Sequence, residues 1–460
     1  MEAAESFIEN AAKFVWGPGL LLPVLLSGAF FCITSGFYPL SKLRLIIKNT
    51  LGSKKGGFSA MATALGATAG TGNIVGVASA IAIGGAGAVF WMWVGAFFGM
   101  MLKFGEAALA VKYRGGAMRY IELAFGGKLP AIFWCVCCIL ASFGTGNMVQ
   151  TNAAGAICSA AFGVPPIVFG AALAILSAAV LFKGTKAVIK TSSLLVPFMA
   201  AFYVIGCCIL LFICRENIPA VIQNIFSEAF TPAAAGGGIA GILSSEAMKT
   251  GIARGTFTNE AGMGSASIAH AESSGTTPEQ QGCLGIAEVF LDTILCCTLT
   301  ALAVLSAGLD RIDDGSAATA FAKFFGGFGE AFLGISMFFF ALAAVIGWAF
   351  YGEKALGYIT GSKKAAAIYK AAFCLCAAAG SCLGLRTLWS ISDIFNGLMI
   401  FPNLAALLLL KNDILSIAKG KSESDIKKLC PNATVESGLA IYGSRVDKAK
   451  SDIEGWVNKI

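Results

Sequence analysis

Gly66-Ala67-Thr68-Ala69-Gly70-Thr71-Gly72-Asn73-Ile74-Val75-Gly76 stands in the middle of a long apolar stretch, where a uniform helix gains nothing from it. Each glycine costs a helix up to about 1 kcal/mol relative to alanine. The threonines and the asparagine are polar groups that would sit at membrane depth. Close helix packing is one reading, since Gly72 and Gly76 form a GxxxG pair, as do Gly95 and Gly99. A dinucleotide loop fits worse, because no strand precedes Gly70-Thr71-Gly72 and the spacing to Gly76 is wrong. An interrupted helix accounts for the polar residues better than packing does. A second polar interruption follows at Arg254-Gly255-Thr256-Phe257-Thr258-Asn259-Glu260-Ala261-Gly262-Met263-Gly264-Ser265, again inside a small and apolar stretch.

Around these two interruptions the composition is that of a membrane protein. Hydrophobic residues make up 57% of the 460 and charged ones 13%, against roughly 45–50% and about 25% in soluble proteins. The runs 18–37, 74–102, 129–182, 191–214 and 331–352 carry no Asp, Glu, Lys or Arg. These runs do not alternate as the strands of a barrel would, so the expected class is an all-α, polytopic membrane protein embedded in a lipid bilayer. The net charge of +7 is scattered over short loops and forms no basic block, which argues for topology information and against nucleic acid as a partner. Most of the fifteen cysteines sit within apolar runs, where thiols act as small fillers; Cys135 and Cys138 make an isolated CxxC pair. The run 18–37 is long enough to span and lacks a small-residue cleavage signature, so it reads as a retained helix.

Charged and Gly/Pro-rich breaks divide the chain into about eleven spans: 18–37, 57–84, 86–111, 129–150, 165–182, 192–214, 237–271, 282–308, 331–352, 365–384 and 388–410. Lys and Arg number twenty-five on one set of alternate loops plus the tail and five on the other, which predicts an outside amino terminus and a cytoplasmic carboxyl terminus. Residues 412–460 are polar and read as a cytoplasmic tail with a short amphipathic helix near 437–458, following a transmembrane domain over 1–411. An Asn432-Ala433-Thr434 sequon in that tail is a chance match. The two interrupted helices are five spans apart. Residues 57–214 and 237–410 then form two five-helix halves, each opening with a broken helix, and an odd number of spans per half forces them into opposite orientation. Unwound main chain at the midplane is tolerated only where it faces a cavity, where freed N–H groups suit a carboxylate and freed carbonyls a small cation.

At these residues the sequence resembles the alanine or glycine:cation symporters, also called the sodium:alanine symporter family. The likeness rests on Gly70-Thr71-Gly72-Asn73-Ile74-Val75-Gly76-Val77-Ala78, Lys103-Phe104-Gly105-Glu106 leading to Lys112-Tyr113-Arg114, Gly146-Asn147-Met148-Val149-Gln150, Val196-Pro197-Phe198-Met199, Ile268-Ala269-His270-Ala271, and Gly347-Trp348 with Tyr351-Gly352-Glu353-Lys354. It extends to about residue 411. The resemblance implies a leucine-transporter-type fold, one extra helix before two inverted five-helix repeats, and sodium-driven uptake of alanine or glycine across the plasma membrane, with no cofactor beyond the co-transported ion. It implies further that Thr71, Gly72 and Asn73 hold the substrate carboxylate, that Gln150 faces the site, that Phe257 lines its second side and that Trp348 closes it. A zwitterion in a low-dielectric cavity needs donors for its carboxylate and acceptors for its ammonium, which such a set supplies. An extra methylene is worth only about 1–3 kcal/mol in a pocket, so larger amino acids must be rejected by steric overlap.

The implied sodium site combines Gly66 and Ala69 of the first interruption with Ala343 and Ala344 of the ninth span, where related sequences carry Thr or Ser. Alanine offers a hard cation no side-chain oxygen. Sodium coupling is then weakened, moved to a second site near Thr68, Asn73 and the substrate carboxylate, or replaced by protons; alternatively the register of the ninth span is off by one turn. Among charges within spans, Lys103 and Glu106 are expected to pair with each other, being three residues apart on one helix face. Glu288, Asp292 and Asp393 have no basic neighbour within a turn, and Glu288 or Asp292 would carry a proton if it reached the cavity. Arg254 and Glu260 flank the second interruption and are expected in gate or interface ion pairs. His270, the one histidine, is expected to serve helix packing. An intramembrane enzyme would need a nucleophile with its base, paired aspartates or a motif such as HExxH, and none is present. A channel would typically repeat one filter in a symmetric oligomer, whereas this chain carries two dissimilar breaks.

Overall fold

The computed structural model describes residues 2–53, 55–230, 245–382 and 386–420, without the side chains of 2–4, 55 and 386–388. Residues 237–244 of the seventh span, the tail from 421, the sequon and the amphipathic helix near 437–458 lie outside the described residues. Every described element is helical. Seven helices are long and apolar enough to cross a membrane, among the described residues, and Val75–Gly84 and Pro166–Leu181 are shorter apolar helices.

The chain opens with α1 (Glu2–Val15) and α2 (Pro18–Thr34). The sequence reading placed a first helix at 18–37 and did not anticipate α1. Pro18 at the first turn of α2 gives up only an N–H that no helix could satisfy, so it starts the helix and does not break it. The first interrupted span follows as α3 (Lys55–Thr68) and α4 (Val75–Gly84). Next come α5 (Gly87–Lys112), α6 (Lys128–Phe162), α7 (Pro166–Leu181) and α8 (Thr185–Ile213). The second interrupted span is α9 (Glu246–Asn259) and α10 (Ser267–Ala271), succeeded by α11 (Pro278–Ser306), α12 (Gly327–Thr360), α13 (Lys363–Gly380) and α14 (Arg386–Leu409). Several starts and stops are written locally. Thr277 caps α11 in a reciprocal box with Gln280 and with Pro278 at the first turn, while α6 and α12 end on left-handed Gly163 and Gly361.

The longer helices gather into two packed groups. In one, α5 is flanked by α9 and α11, with α4 against α9. Small residues permit that approach: a Cβ on Gly99 would lie 3.0 Å from Ala261 Cβ, and one on Gly95 3.7 Å from Ile252 Cα. In the other, α6 packs along α12 and α7 along α13. The half-helix α3 lies between the groups, touching both α8 and α12. α6 and α11 each carry a π-helical stretch, Gly144–Met148 and Phe290–Cys297. Such local insertions in the i→i−4 ladder concentrate at functional sites.

Burial here means enclosure by protein, since many large apolar side chains, among them Leu26, Ile33, Leu194 and Ile205, face outward as lipid-exposed residues do. The interior instead encloses charge. Lys103, Glu106, His270, Glu288 and Asp292 all have no measurable exposure. Lys103 and Glu106 do not pair with each other. Lys103 Nζ lies 3.2 Å from Glu288 Oε1 on α11, and Glu106 turns to the second break. Spacing along one helix reveals only neighbours on that helix, and both partners lie elsewhere in the chain. His270 keeps the packing role, bracketed by Gln281 Oε1 at 2.6 Å and Glu288 Oε2 at 3.1 Å.

A candidate amino acid site where two helix breaks meet

The first break begins after α3, where Ala69 N still bonds Leu65 O at 2.7 Å but Gly70 N already bonds Thr68 O at 2.8 Å. A single 3₁₀ turn over Thr71–Asn73 follows before α4 resumes. Thr71 N has left the ladder, and Gln150 Oε1 accepts from it at 2.8 Å. Gln150 is held in turn by donating Nε2 to Thr145 O at 3.0 Å, within the π-helical turn of α6. A Cβ on Gly70 would lie 2.6 Å from Gln150 Oε1, so glycine is required for this approach.

The second break begins at Glu260, whose φ of 55° is left-handed, and passes Gly262 and Gly264 at 92° and 81°. Left-handed backbone is costly for a residue with a Cβ and marks a segment held by its surroundings. Glu106 supplies part of that hold, with Oε1 accepting from Gly262 N at 2.9 Å, Gly264 N at 3.1 Å and Asn403 Nδ2 at 2.8 Å.

The first break touches the last turn of α9, from which the second break departs. A Cβ on Gly72 would sit 3.1 Å from Thr258 Cγ2 and 3.9 Å from the Phe257 ring. Asn73 Nδ2 donates to Asp292 Oδ1 at 2.7 Å and to Asp292 O at 3.1 Å, while Thr300 Oγ1 donates to Asn73 O at 2.8 Å. Asp292 also accepts from Thr293 Oγ1 at 3.0 Å, and Thr293 accepts from Asn259 Nδ2 at 3.1 Å. One carboxylate on α11 thus ties the two interrupted segments together. Thr71 Oγ1 and Asn73 Oδ1 are buried and have no hydrogen-bond partner among the described residues. Orphaned polar atoms in a fully enclosed spot are costly unless a ligand meets them.

Above the breaks opens a cavity of about 940 Å³, lined by residues that include Val75, Gly76, Asn152, Arg254, Phe257 and Asp393. Phe257 is its floor, with one side to the cavity and the other toward Gly72. Trp16 reaches the same floor from the α1–α2 junction, edge-on to Phe257 at 6.3 Å, and donates Nε1 to Asp393 O at 2.8 Å. Arg254 stacks over Phe257 and Trp389 at 5.8 and 5.9 Å and does not form the ion pair expected of it.

Of the residues expected at the substrate, Thr71, Gly72, Asn73, Gln150 and Phe257 come together. Trp348 lies against Gly146, one turn before Gln150 on α6, and edge-on to Tyr351 at 5.7 Å. Of those expected at the ion, Gly66 and Ala343 are neighbours, since a Cβ on Gly66 would lie 3.7 Å from Ala343 Cβ. Ala344 and Ala69 are buried beside them without a hydroxyl. Thr68 Oγ1 donates back to Ala64 O and Leu65 O at 3.3 and 3.2 Å. Sequence reasoning left Asp292, Thr293 and Thr300 out of the site. The available signal was an acid without a basic neighbour in an apolar span, and it was noted without a partner.

Comparison with known proteins follows this geometry. The sequence profile described as the sodium:alanine symporter family matches residues 1–429. The sodium/alanine symporter AgcS of Methanococcus maripaludis is 38% identical over 445 residues, 91% of this chain and 97% of that protein. The amino-acid carrier protein AlsT of Bacillus subtilis is 36% identical over 449 residues, 93% and 94% of the two chains. Among solved structures, MhsT in complex with L-phenylalanine aligns with a TM-score of 0.62 at 16% identity, over 82% of this chain and 94% of that one, a likeness of fold.

Proposed function

This chain belongs to the sodium:alanine symporter family, and on that premise we propose that it takes up alanine or glycine together with sodium by alternating access. Membership makes it a multi-pass membrane transporter of amino acids. The finer reading is carried by one observation: two interrupted helices meet at buried polar atoms that no group among the described residues satisfies, Thr71 Oγ1 and Asn73 Oδ1.

In this reading the substrate carboxylate takes the donors of the Thr71–Asn73 turn, and Gln150 fixes that turn from α6. The ammonium takes carbonyls freed at the second break. Phe257 closes the pocket from the outer cavity and Trp348 from the α12 side, leaving room for a hydrogen or a methyl. The two breaks belong to different five-helix halves of inverted orientation, eleven spans in all with the first outside the repeat. The amino terminus faces outside, the carboxyl terminus the cytoplasm, and the membrane is the plasma membrane. Rocking of the α5–α9–α11 group against the α6–α7–α12–α13 group would expose the site alternately to each side.

The cation is best placed beside Asn73 Oδ1 and the Asp292 carboxylate, because an anionic oxygen and an orphaned amide oxygen offset sodium dehydration where Gly66, Ala69, Ala343 and Ala344 offer only main-chain carbonyls. The second reading, coupling to protons, is favoured by the same two alanines. Radiolabelled alanine uptake into proteoliposomes, with sodium, lithium or pH gradients imposed separately, decides between them. A sodium gradient alone should drive concentrative, saturable uptake. Uptake driven equally by a pH gradient without sodium would replace the first reading by the second, and uptake indifferent to every gradient would end both.

A further inference from the structure

Around the second break lies a set of charges of which the reading above uses only Asp292. Six ionisable side chains are enclosed around the second break: Lys103, Glu106, Glu260, His270, Glu288 and Asp292, with Glu260 the most exposed at 3%. Four are carboxyls, and the cations number one lysine and at most one protonated histidine. In a low-dielectric interior an uncompensated carboxylate costs several kcal/mol even after relaxation, so the surplus must be neutralised.

The partners show where. Glu288 takes the ammonium of Lys103 at 3.2 Å and meets the imidazole of His270 at 3.1 Å. Glu106 collects three N–H donors on Oε1, and its Oε2 has no partner among the described residues. Asp292 accepts from Asn73 and Thr293 and, in the reading on which this inference rests, meets the transported cation. Glu260 has neither cation nor N–H. Among the described residues its carboxyl has one hydrogen-bond partner, the hydroxyl of Ser265, which donates to Oε2. The titratable and charged groups that act on it are Lys103 of α5, Glu288 and Asp292 of α11, Cys138 of α6 and Tyr351 of α12. Lys103 is already engaged by Glu288, and the Tyr351 hydroxyl is buried without a partner.

We propose that Glu260 is a proton site: its carboxyl is protonated while the second break is enclosed, and it exchanges that proton with water when the inner half-helix α10 moves away. The residue stands at the turn between α9 and α10, at the left-handed position from which the two halves diverge. Enclosure therefore requires the protonated form, while raising the pH removes the proton and disfavours the enclosed state. The proton is additional to the sodium ion placed at Asp292.

Infrared spectroscopy of the purified full chain in lipid nanodiscs, with and without alanine, tests this directly. Wild type should show a protonated-carboxyl C=O band that disappears in Glu260→Gln and remains in Glu106→Gln. Its persistence in Glu260→Gln, or its absence from wild type, overturns the assignment whatever the transport data say. In proteoliposomes driven by sodium, wild-type alanine uptake should fall as pH is raised equally on both sides, and Glu260→Gln should flatten that dependence; a Glu260→Gln profile that tracks wild type also overturns it. Absence of alanine uptake in wild type would sink the symport reading while leaving the infrared outcome to judge Glu260 alone.

Discussion

Thr71 N and Gln150 Oε1, 2.8 Å apart, are the contact on which the first break depends. Replacing Gln150 by leucine keeps the bulk and leaves a buried N–H without an acceptor, a loss of about 1–3 kcal/mol. The expected outcome is a rise of roughly tenfold or more in KM for alanine uptake, with the protein still folded. Gly146 supports the site by absence of a side chain. A Cβ there would sit 2.2 Å from Trp348 Cβ and Cγ, so Gly146→Ala should lower the thermal midpoint in detergent by the few degrees that about 1–3 kcal/mol of overpacking implies. Gly76→Ala, which meets open space, should leave it unchanged. The residues of the first break were legible because glycine, threonine and asparagine are out of place in an apolar helix. The pairing of Lys103 with Glu288 was not, because it joins α5 to α11 across 185 positions of chain, and neither residue differs locally from one that pairs at i+3.

Both breaks were readable as elements: the first lies inside the run 66–76, whereas α9 stays helical to Asn259, so the second opens at Glu260, six residues into the run 254–265. The π-helical stretches in α6 and α11 were not readable. An extra residue in a helical turn leaves no mark in composition, yet one stretch contains Thr145 and the other Asp292 and Thr293, so they aim the groups that touch the first break. α6 also continues to Phe162, beyond the expected end at 150, with the π-helical turn Gly144–Met148 inside one helix. At this scale the two candidate cation positions separate experimentally. Asp292→Asn removes the carboxylate that holds Asn73 of the first break and should weaken apparent sodium affinity by at least about tenfold, the loss expected for a charge-assisted contact. Ala344→Thr adds a hydroxyl near Gly66 and should tighten sodium dependence if an ion uses that position; no change would leave Asp292 as the site. Both are read from the sodium dependence of alanine uptake.

On the scale of the whole molecule, two helix groups share an interface at which both interruptions lie, and a cavity opens above them as far as Phe257. Hydropathy and composition made the all-helical membrane class legible, since lipid imposes a length and a polarity on every crossing. They said nothing of α1, whose sequence is amphipathic and which packs on α14 beside the cavity. Orientation is testable separately: in intact cells a membrane-impermeant maleimide should label Ser6→Cys and spare Ser422→Cys, and the opposite pattern would invert the molecule. The central claim is that residues from both breaks build one amino acid pocket, and equilibrium binding of radiolabelled alanine to the purified chain tests it most directly. Saturable binding to wild type, weakened at least about tenfold by Asn73→Ala from the first break and by Phe257→Ala from the last turn of α9 beside the second, is the predicted result. Binding that either substitution leaves untouched, in a variant that remains folded, would contradict it.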